Sequence, residues 1–228
     1  MKTKSSSSLV RRPFLSTWAR ILLILAIALP QAFAVAVPAA EAADYAWTAY
    51  NDCSATTGGN TTAYTVTTGS TTGLLKNYST GANTSVTATF TSSGSPAVST
   101  TYGSMPTSGT DAYATFNGFV NMVGVINYGS SSGWYIDLTF TNLNTAKTYA
   151  FATTANRNDS SYTTRVTQFT LNDAVAATNA STSGVTVIDN LNVAFSTGSN
   201  TDKGYVARWT GISPGSDGDF SVRFTFYG

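Results

Sequence analysis

Between Trp134 and Thr141 the chain alternates apolar and polar side chains, with Trp134, Ile136, Leu138 and Phe140 on one phase and Tyr135, Asp137, Thr139 and Thr141 on the other. A period of two belongs to a strand with one dry face and one wet face. The same beat returns at Val86, Ala88 and Phe90, at Tyr149 and Phe151, at Tyr205, Ala207 and Trp209, and at Phe220, Val222, Phe224 and Phe226. Turn-forming residues separate these segments, at Gly58-Gly59-Asn60, Ser93-Gly94-Ser95-Pro96, Asn142-Leu143-Asn144 and Ser213-Pro214-Gly215-Ser216-Asp217-Gly218. Short strands divided by such turns predict an all-β domain, a jelly-roll-like β-sandwich. Trp134 and Trp209 share the phase of their apolar neighbours and are expected in the core. Tyr135, out of phase, is expected to face solvent.

Two stretches break the beat. Phe116 to Tyr128 is too densely apolar for a half-exposed strand and reads equally as a buried strand or as a short helix crossing an end of the sandwich. Residues 172 to 184 are rich in alanine, which points to one short helix there. The chain stops on the strand pattern Phe224-Thr225-Phe226-Tyr227-Gly228. Either that strand closes the sheet, or a further strand is missing and an edge stands open.

The N-terminus is built differently. Lys2, Lys4, Arg11, Arg12 and Arg20 precede an uninterrupted apolar run from Ile21 to Leu29, and small residues frame Glu41 in Ala40-Glu41-Ala42. A basic segment, an apolar segment and a small-x-small site make a signal peptide over residues 1–42, a helix removed after Ala42 to leave residues 43–228 as one exported domain. The alternative is an uncleaved anchor, because Ile21 to Ala40 just reaches across a hydrocarbon core of about 30 Å. Pro30 and Gln31 interrupt that run, which favours cleavage. No other stretch is apolar for long enough to span a membrane, so a secreted or cell-surface protein is expected.

Beyond residue 42 the chain holds seven basic residues against ten aspartates, a formal charge of −3. Nucleic-acid binding rests on clustered Lys and Arg, and no such cluster is visible. The chain has no histidine, its sole glutamate is Glu41, and Cys53 is its sole cysteine. Ser-His-Asp and Cys-His triads, histidine zinc sites and glutamate-pair glycosidases are thereby excluded. The domain is expected to be no enzyme. A lone cysteine makes no internal disulfide, and Cys53 reads as a small buried hydrophobe.

Oxygen-rich turns and stray aromatics remain. Asp217-Gly218-Asp219 offers carboxylate and backbone oxygens to calcium, the one cofactor considered, or else is a solvated turn. Asn156-Arg157-Asn158-Asp159-Ser160 is a second such loop, and Tyr162 beside it is the best exposed aromatic. A sugar ring stacks its apolar face on such a ring while its hydroxyls exchange hydrogen bonds with Asn, Asp and Arg. Tyr135, Asn156, Arg157, Tyr162 and Arg165 are therefore the candidate ligand contacts. Arg157, Arg165 and Arg208 have the alternative of pairing with an aspartate or stacking on a ring.

Gly133-Trp134-Tyr135-Ile136-Asp137-Leu138-Thr139-Phe140-Thr141-Asn142-Leu143, followed by Lys147-Thr148-Tyr149-Ala150-Phe151 and later by Gly204-Tyr205-Val206-Ala207-Arg208-Trp209-Thr210-Gly211-Ile212, carries a resemblance. From about Trp47 to Phe226 the chain resembles the galactose-binding-like, carbohydrate-binding β-sandwich modules of large secreted bacterial surface proteins. That resemblance implies a non-catalytic accessory module whose partner is a polysaccharide or cell-surface glycan. The alternative expectation is self-association, as a structural subunit that polymerises by strand addition.

Overall fold

The computed structural model describes residues 47–52, 59–63, 70–93, 96–127 and 133–228. The signal peptide expected over residues 1–42 and Cys53 lie outside them. In chain order the strands are β1 (Asn51–Asp52), β2 (Thr62–Ala63), β3 (Ser70–Lys76), β4 (Asn83–Ser92), β5 (Ala97–Ser99), β6 (Val125–Asn127), β7 (Tyr135–Thr141), β8 (Tyr149–Thr153), β9 (Val166–Asn172), β10 (Ala174–Asn179), β11 (Thr186–Val187), β12 (Asn192–Ser196), β13 (Ala207–Pro214) and β14 (Phe220–Phe226). One helix, α1 (Asp111–Phe116), and a 3-10 turn at Ser160–Tyr162 complete the set among the described residues.

Two antiparallel sheets pack together as a sandwich. The larger runs β11-β12-β9-β14-β7-β4-β3 and the smaller β10-β13-β8. The alternation read from the sequence is what brings them together. In β7, Ile136, Leu138 and Phe140 are buried and the residues between them are half-buried. Pairing keeps this phase across the sheet, with Phe220 opposite Phe140, Val222 opposite both Leu138 and Leu171, and Phe224 opposite both Ile136 and Phe169. A slip of one residue would turn every one of these side chains to water, so the core fixes the register. From the smaller sheet Trp209 and Ile212 enter the same core, packed with Tyr149 and Phe151. Trp209 is fully buried, and its indole N–H donates to the Asn190 carbonyl at 2.9 Å, which removes the cost of burying that donor. Trp134, expected in the core, is only half-buried just ahead of β7.

The chain passes between the sheets through a single residue. Asp173, at φ 60°, separates β9 in the larger sheet from β10 in the smaller. Aspartate tolerates this left-handed conformation better than most residues, so the corner needs no glycine. The short helix expected over residues 172–184 is thus corrected to a strand. Ala174 and Ala177 pack on the core beside β13, and small side chains suit that close approach better than they suit a six-residue helix in isolation. The stretch from Phe116 to Tyr128 is also resolved, in so far as it is described: it holds the end of α1, a turn, and the three residues of β6. Phe119 explains its apolar density, because its ring stacks on Tyr50 at 4.6 Å and meets Tyr78 edge-on at 5.3 Å.

Strand β14, which carries the last strand pattern of the chain, is no edge. It lies at the centre of the larger sheet between β9 and β7. The edges are β3 and the two-residue β11. Glycine at 73 and two register shifts interrupt the pairing of β3 with β4, and irregular or very short edges resist strand addition.

At its start, over residues 207–209, strand β13 is buried on both faces. Behind Trp209, Arg208 points away from the core into a pocket beneath α1, where its two terminal nitrogens reach the two oxygens of Asp111 at 3.0 and 2.7 Å. Thr115 and Thr182 hydroxyls satisfy the same cluster at 2.8 Å to Arg208 and 2.6 Å to Asp111. Both charged side chains are about 95 % or more removed from solvent. A fork-shaped pair this dry is strong only while intact, since either partner alone is an uncompensated buried charge. Asp111→Ala is expected to lower unfolding free energy by about 3–5 kcal/mol in urea titrations, whereas replacing both partners together with apolar residues of similar volume is expected to cost far less.

Candidate functional site

The site grows from a loop tied down by two buried side-chain amides. Asn156 and Asn200 are both buried, and their side chains knit four segments together. Asn200 Nδ2 donates to Thr154 Oγ1, the Ala155 carbonyl and the Tyr205 carbonyl at 3.1, 3.2 and 3.0 Å, and its Oδ1 accepts from Tyr205 N at 2.7 Å. Asn156 Oδ1 accepts from Asn200 N at 3.0 Å, while its Nδ2 donates to Ser104 Oγ at 2.6 Å and Thr201 Oγ1 at 2.9 Å. Asn156 was a candidate ligand contact on sequence grounds. It is instead the buried support of the loop, 1 % exposed, with both ends of its amide engaged by the protein.

Immediately beyond that support, Arg157 leaves the core. Its backbone N–H donates to the Thr197 carbonyl at 2.8 Å, and Asn158 N donates to the Tyr102 carbonyl at 2.7 Å, which draws Tyr102 alongside. Gly103 permits this approach, because a β-carbon there would run into the Met122 carbonyl and Val125. On the other side the 3-10 turn brings Tyr162 in, and Gly198 packs so closely under the Tyr162 carbonyl that no side chain fits. Gly198 N in turn donates to the Arg165 carbonyl at 3.1 Å.

The result is a row of alternating rings and cations. The Arg157 guanidinium carbon sits 4.6 Å from the Tyr102 ring centroid and 4.0 Å from that of Tyr162, and the Arg165 guanidinium carbon sits 4.6 Å from the Tyr162 centroid. Arg157 thus meets two tyrosine rings, and the Tyr162 ring meets two arginines. Such cation–π contacts fix long side chains that would otherwise be mobile. Tyr102 is 45 % exposed, while Arg157, Tyr162 and Arg165 are half-buried. Three of the sequence candidates therefore converge. Tyr102 was missed, and its sequence signal was slight: a large aromatic stranded among Ser and Thr, on no strand phase.

Tyr135 belongs elsewhere. On the outer face of the larger sheet it lies under the Arg223 guanidinium at 4.6 Å, and Arg223 is bound bidentately by Asp137 at 2.7 Å for each bond. The calcium candidates Asp217 and Asp219 do come together, in the turn between β13 and β14, with Asp173 close by. Burial and the adjacent Asp217 carboxylate push the Asp219 pKa above its ordinary value. Among the described residues, however, no group of three acidic, cysteine or histidine side chains is arranged to hold a metal ion.

Two hollows flank Asn156. The larger, about 440 Å³, lies between residues 47–52, residues 116–125 and the length of β8. Its walls are mainly apolar and aromatic, and burial pushes the pKa of Tyr50 in it up to about 12. The smaller, about 140 Å³, opens beside the row and is lined by Arg157, Arg165, Asn156, Trp134, Thr197 and Phe226 among others. Pockets that engulf a small molecule usually measure about 300–1,000 Å³. The smaller cleft therefore suits one projecting group of a ligand that lies across the surface.

Fold and site together define a two-sheet β module that displays a rigid tyrosine–arginine row on its loops. Compared with known protein families, curated proteins and solved structures, the chain matches none.

The acidic turn yields a measurable consequence. A carboxyl group whose pKa is raised by folding binds its proton more tightly in the native state, so its ionisation above that pKa destabilises the fold. Asp217→Asn removes the neighbouring charge. The variant is expected to melt at higher temperature than the parent near pH 7, with the gain fading as pH falls through the carboxylate range towards about 3, where both chains are protonated. Thermal melts across that range check it.

Proposed function

We propose that this is an exported, non-catalytic carbohydrate-binding module that acts at the cell surface, with its ligand laid across Tyr102, Arg157, Tyr162 and Arg165. The observation that carries the reading is the row itself: tyrosine rings partly open to solvent yet immobilised by stacked guanidinium groups. A pyranose presents one face of C–H bonds, which packs on such rings, and a rim of hydroxyls. Exposed Asn158, Ser160, Ser161, Thr163 and Thr164 surround the row with donors and acceptors for that rim. Because the rings are fixed before binding, little side-chain entropy is lost on association. The sandwich-like fold supports kinship with galactose-binding-like jelly rolls, and a chain without histidine, and without glutamate beyond residue 41, supports the non-catalytic part of the reading.

Polysaccharide pull-downs and glycan arrays test it. Binding is expected for the parent protein and is expected to weaken by about tenfold or more in Tyr162→Ala and Tyr102→Ala, the equivalent of about 1.4 kcal/mol per ring. Tyr135→Ala, on the outer sheet face, is expected to bind as the parent does. Retention of all binding by the Tyr102/Tyr162 double variant would remove the row from the mechanism.

A second reading, self-association, has its own support. Val175 is 77 % exposed on β10, Val187 is 59 % exposed on β11, and Ile188 follows at 43 %. Hydrogen bonds from Asn190 to Ala177 and from Asn179 to Asn190 hold the two strands' margins near each other. Apolar side chains along sheet margins favour pairing of copies. If they do pair, light scattering is expected to show a concentration-dependent increase in mass that Val175→Lys abolishes; a monomer at every concentration would dismiss this reading.

A further inference from the structure

We infer that the ligand of the tyrosine–arginine row is an acidic glycan, recognised through sugar carboxylates, an inference that rests on the carbohydrate reading above and narrows it. Four arginines lie beyond residue 42, and the structure treats them in two ways. Arg208 and Arg223 are each gripped bidentately by an aspartate, Asp111 and Asp137. Arg157 and Arg165 are not. Arg157 has one ion pair, to Asp159 Oδ2 at 3.8 Å, which is longer than a direct hydrogen bond, while Asp159 Oδ1 accepts from Ser161 N at 2.8 Å. Among the described residues Arg165 has no ion pair at all. In a domain of net charge −3, both arginines that lack a bidentate aspartate therefore occur in one row, against the same tyrosine ring.

Stacking uses the flat face of a guanidinium and leaves its N–H edge for a planar acceptor. A carboxylate matches that edge, which is why guanidinium groups select carboxylates in two-point geometry. The cleft at the foot of the row supplies the second argument. Its walls are mainly apolar, with Ile136, Phe169, Phe224 and Phe226 among them, and both arginines line it. The two guanidinium groups are the charged side chains of that lining, and a carboxylate is the anion whose geometry pairs with them. A cleft of about 140 Å³ admits a carboxylate and the carbon that bears it, while the sugar ring remains outside on Tyr162 and Tyr102. A uronic acid has this shape: a ring with an apolar face and a carboxylate projecting from its edge.

Calorimetric titration of the purified protein with oligogalacturonate, and with the same oligosaccharide after reduction of its carboxyls to alcohols, tests the inference. The acidic form is expected to bind at least about tenfold more tightly than the reduced form. That preference is expected to shrink as salt rises from about 0.01 to 1 M, which shortens the screening length from about 30 to about 3 Å. Arg165→Gln is expected to lose the preference, while Arg165→Lys, which keeps the charge but not the fork, retains a weakened, salt-sensitive part of it. Circular dichroism and melting curves of both variants establish that they are folded. Equal affinity for the acidic and reduced sugars would overturn the carboxylate inference and leave carbohydrate binding standing. Absence of binding to either, and to the wider glycan array, would overturn both. Tighter binding of duplex DNA or inorganic phosphate than of oligogalacturonate would show a general anion surface and would equally overturn it.

Discussion

Asn200 has no exposed surface, and its side-chain amide, both donor and acceptor, is used to hold other backbone in place. Little else in the loop region would keep its position without it. It receives the turn before β13 through Tyr205, fixes the chain after β8 through Thr154 and Ala155, and through its own N–H hands on to Asn156, which reaches Ser104 and Thr201. A buried amide with all its groups matched holds one arrangement, because any other leaves a polar atom dry and unpaired. The Ala112–Gly204 hydrogen bond extends the same loop to α1, and so to the Arg208–Asp111 pair. The tyrosine–arginine row is therefore mounted on loops tied together by buried side-chain hydrogen bonds.

How much of this could be read in advance follows from the range of each interaction. Period-two patterns are local, and β4, β7, β8, β13 and β14 all lie where the alternation placed them. The position of β14 at the centre of its sheet was not legible, because pairing partners are chosen by the whole set of strands and no local pattern encodes them. Alanines at 174, 176 and 177 favoured helix by propensity, and tertiary pairing with β13 overrode it. At the site, Arg157, Tyr162 and Arg165 were visible as neighbours in one loop. Tyr102 arrives through a bridge from Gly103 to Arg157, and Asn156 turns inward to meet Asn200; both are contacts between distant segments that composition does not reveal.

The charges show a division of labour that net charge conceals. An overall surplus of aspartate argued against polyanions, and over the whole surface that argument holds. Locally it reverses, because Asp111 and Asp137 are committed to Arg208 and Arg223, and in the loop of the row two guanidinium groups, Arg157 and Arg165, stand with the single carboxylate of Asp159. Recognition is decided within a Debye length of about 8 Å at physiological salt, and on that scale the row is cationic.

The central place of β14 also governs the order of assembly. On one side of it stand β7, β4 and β3, and on the other β9, β12 and β11, so within the larger sheet these two groups touch only through β14. A chain made from its N-terminus has both groups in hand before the strand that unites them exists. The sheet closes late, by pairing strands far apart in sequence, which is the slow kind of folding. Until then the larger sheet stands as two halves, and the core that both of them line stays incomplete.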